Sequence, residues 1–159
     1  MLILRSSAFE PDAPIPARHT CDGPDLSPPL SWSGAPPETR SFALIVDDPD
    51  SPDPAAPKRI WVHWLLYNIP ADQLSLSEGA GNHDGAPAGE HARTDANRPG
   101  YHGPCPPIGR HRYFFRLAAL DALLPSLGPR ARRADLEQAM EGHVLATAVL
   151  MGTYARPGR

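Results

Sequence analysis

The segment Ile60-Trp61-Val62-His63-Trp64-Leu65-Leu66-Tyr67-Asn68-Ile69 is an almost unbroken apolar run that ends at Pro70. A short run of this kind, with β-branched and aromatic residues, is typical of a β-strand buried on both faces. Residues 41–47, Ser-Phe-Ala-Leu-Ile-Val-Asp, have the same character and are bounded by turn-forming residues. Both segments are therefore predicted to be buried strands at the centre of a β-sheet.

Two further segments continue this pattern. Residues 111–120 alternate in polarity, so that His111, Tyr113 and Phe115 share one face of a predicted strand. Residues 143–154 form a fourth predicted strand, which ends in Gly-Thr-Tyr. Strands therefore dominate the prediction.

Helices are predicted to be few. The segment 133–141 places apolar residues on one stripe, and Gly142 follows as a stop signal. Weaker helical turns are predicted at 71–76 and 121–124.

Proline is unusually frequent, with 21 Pro and 13 Gly among 159 residues, a composition that approaches that of disordered chains. Most prolines, however, cluster in the first 37 residues, at 49–57 and at 104–107, and proline-free windows between them hold most large apolar residues. Because proline cannot join a strand ladder or continue a helix, it is confined to connections. We predict a single folded domain over 1–159.

Within this domain, the segment 79–110 is too long for a plain connection between two strands. It is predicted to be a functional loop, a mobile insert or both.

Charge and apolar run lengths exclude several classes of protein. The net charge of −3 gives the protein no overall positive potential that would attract nucleic acid or an acidic membrane. Four apolar residues precede Arg5, whereas a signal peptide needs about 7 to 15. No stretch reaches the roughly 18 apolar residues of a membrane span. We expect a soluble cytoplasmic protein with no membrane span and no nucleic-acid partner.

The two cysteines, Cys21 and Cys105, show no C-x-x-C spacing, which excludes a recognisable zinc or thioredoxin-type motif. In a reducing cytoplasm we expect both to be thiols. Both lie beside loops that carry candidate site residues, so their pairing stays open.

Polar residues stand out inside the apolar strands. His63, His111 and Tyr113 point toward apolar surroundings, and a buried imidazole needs partners for both ring nitrogens. Carboxylates follow the 41–47 strand directly in Asp47-Asp48-Pro49-Asp50, and a glycine- and proline-rich loop at 103–109 leads into His111. Two imidazoles, a phenol and loop N–H groups would form a small anion site, with an Asp to orient one imidazole.

Each of these features has a structural explanation as well. A strand histidine is more often a satisfied core residue than a ligand, and D-P-D is often a plain turn. The segment G-P-x-P-P is also compatible with a rigid linker or with a polyproline II segment. Only the order and spacing of the motifs favour a site.

Several motifs follow one another in a fixed order along the whole chain: Thr20-Cys21-Asp22-Gly23, Ser27-Pro28-Pro29-Leu30-Ser31-Trp32, Asp48-Pro49-Asp50-Ser51-Pro52, Trp61 to Pro70, Gly103-Pro104-Cys105-Pro106-Pro107 and His111-Arg112-Tyr113-Phe114-Phe115. In this order they closely resemble the phosphatidylethanolamine-binding protein (PEBP) family, also called Raf kinase inhibitor protein-like, and its bacterial branch in particular.

The resemblance implies a mainly β fold of two packed antiparallel sheets, with a few short peripheral helices. It also implies a small pocket for phosphate or phosphoryl head groups and a cis Ser51–Pro52 peptide. Carried over by position, the ligand-binding residues are Asp48, Asp50, Trp61, His63, Gly103, Pro104, His111 and Tyr113. The stretch 84–99 is longer than expected for bacterial members, and we predict a flexible insert there.

Three function classes follow. The first is a ligand-binding protein for a phosphate-bearing small molecule, a phospholipid head group or a phosphorylated side chain, without a cofactor, whose binding weakens as the pH rises through the histidine range. The second is an inhibitor of a kinase or protease that acts through its surface. The third, ranked lowest, is a hydrolase or metal enzyme that uses Asp48, His63 and His111. No G-x-S-x-G or H-E-x-x-H motif supports an enzyme. A homodimer is consistent with the bacterial resemblance.

Overall fold

The protein is built around a five-stranded antiparallel sheet, which a three-stranded sheet covers. A computed structural model describes residues 1–82 and 89–158. In chain order the strands are β1 (Ile3–Arg5), β2 (Leu30–Ser33), β3 (Ser41–Ser51), β4 (Arg59–Pro70), β5 (Ser75–Leu76), β6 (Glu90–His91), β7 (His111–Leu120) and β8 (Val144–Tyr154). One α-helix, α1 (Arg133–Met140), and two 3-10 turns, Ala17–His19 and Ala80–Asn82, accompany them. The larger sheet has the order β6-β4-β3-β7-β8, and the smaller one β1-β2-β5.

The predicted fold class is confirmed, because the protein is mainly β with two antiparallel sheets and few helices. The four predicted strands correspond to β3, β4, β7 and β8, and the predicted helix corresponds to α1. The helical turns predicted at 71–76 and 121–124 are wrong. In the first, a turn after Pro70 leads into β5, which pairs with β2 through Leu76 and Leu30. The second is an irregular bend.

Two apolar cores explain why the central strands carry so few polar residues. Phe42, Leu44 and Val46 of β3 face the core between the two sheets. Ala43 and Ile45 face a second core that α1 covers. A strand in this position is buried on both faces, as the continuous apolar run at 41–47 predicts.

Irregular pairing at the end of β3 separates its consecutive acidic residues. The register between β3 and β4 shifts between Val46 and Asp47 and again between Asp48 and Ser51. Asp47 is buried toward α1, where its carboxylate accepts hydrogen bonds from Arg116 (2.9 Å) and Arg133 (2.8 Å). Asp48 instead lines a cavity. The Asp47 carboxylate therefore holds the first residue of α1, Arg133, against the sheet, whereas the Asp48 carboxylate belongs to the candidate site.

Part of the insert predicted at 84–99, namely 84–88, lies outside the described residues. Of the remainder, β6 pairs with β4, and both Ala92 and Thr94 are buried. The Asp95 carboxylate accepts the backbone N–H of Val62 at 2.7 Å. These contacts give 89–99 a fixed place beside β4. Within the described ranges, none of the helices has the length and apolar character needed to cross a membrane.

Candidate ligand-binding site

A cavity of about 450 Å³ lies where β3, β4 and β7 meet the loop that follows Tyr101. Of the residues predicted for the site, it is lined by Asp48, Trp61, His63, Gly103, His111 and Tyr113. It is also lined by residues outside that prediction: Cys21, Asp25, Ser51, Pro52, Arg59, His102, Cys105, Pro106 and Pro107. The Ser51–Pro52 peptide is cis, as the resemblance implies. Asp50 and Pro104 lie beside the cavity without lining it.

The His63 ring forms a hydrogen bond through one of its two nitrogens, and the other nitrogen remains available to a ligand. Its Nδ1 lies 2.5 Å from the carbonyl oxygen of His102, which can only accept a hydrogen bond, so Nδ1 carries the proton. The backbone N–H of His102 donates in return to the His63 carbonyl at 3.0 Å. Burial lowers the pKa of His63, although the His102 carbonyl and the carboxylate of Asp48 oppose this effect. The ring is therefore neutral at neutral pH, and Nε2 is a hydrogen-bond acceptor.

His111 is saturated by protein groups. Its Nδ1 lies 2.6 Å from Oδ2 of Asp48, and its Nε2 lies 2.9 Å from the carbonyl oxygen of Ile108. The other oxygen of Asp48 accepts the backbone N–H of Asp50 at 2.7 Å. His111 and Asp48 are both almost fully buried. With both ring nitrogens engaged, His111 forms the floor of the cavity and orients Asp48, but it has no N–H left for a ligand.

The Tyr113 hydroxyl is a buried polar atom without a hydrogen bond of good geometry among the described residues. Burial raises the pKa of Tyr113 far above its usual range, and the nearby charge of Asp48 raises it further. The phenol therefore stays protonated. Its ring packs edge-on against His63, with 5.2 Å between the ring centroids. The hydroxyl interacts with the Asp48 carboxylate at poor geometry, so a ligand acceptor would compete with Asp48 for this donor.

Gly103 and Asp25 close one wall of the cavity. The backbone N–H of Gly103 donates to the Asp25 carboxylate at 3.0 Å, so this N–H is already occupied. A Cβ at Gly103 would collide with that carboxylate and with the carbonyl of His19, which explains the glycine. Burial raises the pKa of Asp25, against the lowering effect of the Gly103 hydrogen bond.

The other two predicted residues support the site from outside. Asp50 binds Arg112 through two hydrogen bonds of 3.0 and 2.9 Å to the guanidinium group. This pairing lowers the pKa of Asp50. The carbonyl of Pro104 accepts the backbone N–H of Cys21 at 3.1 Å. Both residues brace the loops that frame the cavity.

Cys21 and Cys105 form a disulfide, so the expectation of two thiols is wrong. Their Cα atoms lie 5.4 Å apart although 84 positions separate them in sequence. Both residues line the cavity, and the bond joins the loop after the first 3-10 turn to the proline-rich loop at 103–109. The sequence could not decide this pairing because only the tertiary fold brings the two loops together.

Arg59 and His102 are two of the polar cavity residues that the predicted site omitted, together with Asp25 and Ser51. The Arg59 guanidinium lies 5.7 Å from the centroid of the Trp61 ring, is exposed, and makes no ion pair within residues 1–82 and 89–158. The alternation of a strand places Arg59, Trp61 and His63 on one face, and this pattern could have identified Arg59. No sequence pattern marks His102, because its position depends on the loop before β7. Among the described residues, no group of three or more His, Cys, Asp or Glu could hold a metal ion.

Acidification should destabilise the protein through His63 and His102. Burial, followed by the charge of Arg98, lowers the pKa of His102 to about 4, and burial lowers that of His63. Both values lie below the pKa of about 6.5 in the unfolded chain, so the unfolded state binds more protons and stability falls as the pH drops below about 6.5.

Because His102 is partly exposed, we expect a loss of about 1 to 2 kcal/mol between pH 6.5 and 4.5. Urea unfolding at pH 6.5, 5.5 and 4.5 measures it. Asp25, with its raised pKa, acts in the opposite direction near the lower end of this range. A His102→Gln variant should show a flatter pH dependence. An unchanged slope in that variant, or a rise in stability on acidification, would contradict the assignment.

Two packed antiparallel sheets and a cavity with unused polar atoms define a β-sandwich of the ligand-binding class. The chain belongs to the phosphatidylethanolamine-binding protein family, because the model of that family matches residues 5–155. The resemblance identified from the motifs is thereby confirmed.

Relatives and solved structures agree with this assignment. A UPF0098 protein from Methanothermobacter thermautotrophicus is 49% identical over 96% of this chain and 98% of its own length. A UPF0098 protein from Chlamydia muridarum is 45% identical over 95% and 97%. The crystal structure of a PEBP homolog from Chlamydia trachomatis superimposes with a TM-score of 0.88 at 40% identity, covering 98% of this chain and 97% of the other. YbcL of E. coli, described as a member of the mammalian PEBP family, gives a TM-score of 0.87 at 30% identity, covering 98% of both chains.

Proposed function

We propose that the cavity binds a small molecule through a phosphoryl group, which belongs to inorganic phosphate, to a phosphate monoester such as O-phosphorylethanolamine, or to a phospholipid head group. The observation that carries this proposal is the Arg59 guanidinium, which lines the cavity without an anionic partner among the described residues. Family membership supports a ligand-binding protein. The volume of about 450 Å³ lies within the range of small-molecule sites.

The groups that line the cavity favour an oxyanion at the position between Arg59 and Tyr113. Tyr113 supplies a buried hydroxyl without a well-formed partner, and it lies on the same side as His63. Asp48 is already bound by His111 and by the Asp50 N–H, so its charge is partly compensated. An anion between Arg59 and Tyr113 would therefore meet a cation and a donor.

Replacing Arg59 by alanine should weaken binding of phosphate and O-phosphorylethanolamine by about tenfold or more, because a hydrogen bond to a charged group contributes about 1.5 to 3 kcal/mol. Isothermal titration calorimetry at pH 6.5 measures this loss. Arg40→Ala is the matched control, since Arg40 is exposed just before β3, at the end of that strand opposite Asp48. Absence of binding by the wild-type protein, or equal affinity in the Arg59→Ala variant, would overturn the proposal.

Three finer expectations stay predictions: a kinase or protease partner, a homodimer and a cytoplasmic location. The Cys21–Cys105 bond weighs against a reducing compartment, where disulfides are rare.

A further inference from the structure

We propose that the Cys21–Cys105 disulfide is a redox switch for the cavity, and that its reduction by a small thiol weakens binding of the phosphoryl ligand. This inference rests on the proposed function and adds its regulation. It follows from three properties of the bond: its exposure, its place in the cavity wall, and the lack of other bonds that hold one of the two loops it joins.

The disulfide is accessible to thiols in solution. Cys21 and Cys105 are both exposed, and both line the cavity. Exposed disulfides are more easily reduced than buried structural ones, and they are the ones that serve regulatory roles. A thiol from solvent can therefore reach a bond that forms part of the ligand site.

The loop that carries Cys21 is fixed by bonds other than the disulfide. The Asp22 carboxylate accepts hydrogen bonds from the Tyr154 hydroxyl at 2.6 Å and from the Arg156 guanidinium at 3.0 Å. The Thr20 hydroxyl donates to a carbonyl of the first 3-10 turn at 2.8 Å. Reduction leaves all of these bonds intact, so Cys21 keeps its position.

The loop that carries Cys105 lacks such bonds at its outer end. Pro104, Pro106 and Pro107 have no backbone N–H, and the N–H of Cys105 forms no hydrogen bond among the described residues. The Pro104 carbonyl accepts the N–H of Cys21 at 3.1 Å, directly beside the disulfide. Beyond Pro104, the disulfide is therefore what holds this segment to the facing loop.

The inner end of the same loop is held independently of the disulfide. The Tyr101 hydroxyl donates to the His19 carbonyl at 2.7 Å, and the Gly103 N–H donates to the Asp25 carboxylate at 3.0 Å. Reduction therefore releases only residues 105–107, and the residues deeper in the cavity keep their positions. Because residues 105–107 line the cavity, part of its wall becomes less ordered. A wall that must be ordered again on binding lowers the affinity for the ligand.

The exchange consumes two thiol molecules for each disulfide. A thiolate attacks one cysteine sulfur, forms a mixed disulfide and releases the other cysteine as a thiolate, which takes up a proton. A second thiolate then attacks the sulfur of the first reductant molecule, which leaves as the disulfide of the reductant and frees the second cysteine. Two electrons pass from the two thiols to the bond. A small disulfide reverses both steps, so the switch is reversible.

Ligand binding must in turn protect the disulfide. If reduction weakens binding tenfold, saturating ligand makes reduction tenfold less favourable, because the two equilibria share one coupling free energy. For this two-electron couple, a tenfold change corresponds to about 30 mV. A disulfide with a purely structural role would show no such dependence on the ligand.

Calorimetry with O-phosphorylethanolamine at pH 6.5 measures the effect on affinity. It compares oxidised protein, protein reduced beforehand with dithiothreitol, and the Cys21→Ser/Cys105→Ser variant, each shown to be folded by circular dichroism. We expect the reduced protein and the variant to bind about tenfold or more weakly, and reoxidation to restore the affinity of the wild type. Equal affinity in all three forms would overturn the switch while leaving the phosphoryl site intact. Failure of the oxidised protein to bind would overturn the proposed function and the switch with it.

Leu136→Ala is the matched control for a general loss of stability. Leu136 is fully buried in the core that α1 covers, on the face of the larger sheet opposite the cavity. Its truncation leaves the disulfide intact but removes a buried side chain from a core, which is strongly destabilising. This variant should bind as tightly as the oxidised wild type. Weakening equal to that of the reduced protein would assign the effect to destabilisation and contradict the switch.

A redox titration measures the reciprocal effect. The wild type is equilibrated at pH 7.5 with graded mixtures of reduced and oxidised dithiothreitol, with and without saturating O-phosphorylethanolamine. Because the chain has only two cysteines, alkylation with iodoacetamide and mass spectrometry report the state of this bond alone. The ligand should shift the midpoint toward more reducing mixtures, by the factor by which reduction weakens binding. A midpoint that the ligand leaves unchanged, or a bond that resists dithiothreitol, would overturn the proposal.

Discussion

Replacing Asp48 by alanine is expected to lower the free energy of unfolding by about 3 to 5 kcal/mol, the cost of breaking a buried charged pair from one side. Nδ1 of His111 loses the carboxylate oxygen that lies 2.6 Å away, and the backbone N–H of Asp50 loses its acceptor at 2.7 Å. Both members of the pair are almost fully buried, so water does not readily replace the lost partner. Urea unfolding at pH 7 measures the change.

Asp48→Asn is the matched control. An amide can offer its oxygen to the Asp50 N–H and its NH₂ group to Nδ1 of a neutral His111, whose Nε2–H still donates to Ile108. We expect a loss of only about 1 kcal/mol, because every hydrogen bond persists in a neutral form. An alanine variant as stable as the asparagine variant would show that the pair contributes little.

Removing the disulfide is expected to cost about 2 to 4 kcal/mol, because the bond closes a long loop in the unfolded chain. The bond spans 84 positions. The double variant Cys21→Ser/Cys105→Ser removes it, and thermal and urea unfolding in non-reducing buffer compare it with the wild type.

Reduced wild-type protein provides the control for the serine side chains. Reduction by excess dithiothreitol should lower the stability of the wild type to that of the double variant and leave the variant unchanged. An unaltered unfolding midpoint in the reduced wild type would contradict the expectation. The single variants are less suitable, since each leaves one reactive thiol at the cavity.

The four long strands of the larger sheet, β3, β4, β7 and β8, were predictable because their pattern is local. A strand covered on both faces needs apolar side chains at successive positions, as in β3 and β4, and this requirement is visible in the sequence. The short strands β5 and β6 have two residues each and carry no such pattern. Their assignment depends on pairing with β2 and β4, which sequence alone does not reveal.

The candidate site was predictable in its residue types and less so in its hydrogen bonds. The motifs place His63, His111, Tyr113 and Asp48 together, and the structure brings them to one cavity. Which of them has a free polar atom is a different question. Both ring nitrogens of His111 form hydrogen bonds with protein groups, whereas His63 on β4 forms one through Nδ1 and leaves Nε2 available.

The β-rich fold, the family and most of the predicted side chains of the cavity follow from the amino-acid sequence, because burial patterns and motif order are properties of the chain. Three features of the cavity appear only in the folded protein: the bond between Cys21 and Cys105, the contact between Asp48 and His111, and the lack of an anionic partner for Arg59 among the described residues. Hydrogen bonds and disulfides depend on distances of a few ångströms between segments far apart in sequence, and folding alone fixes those distances.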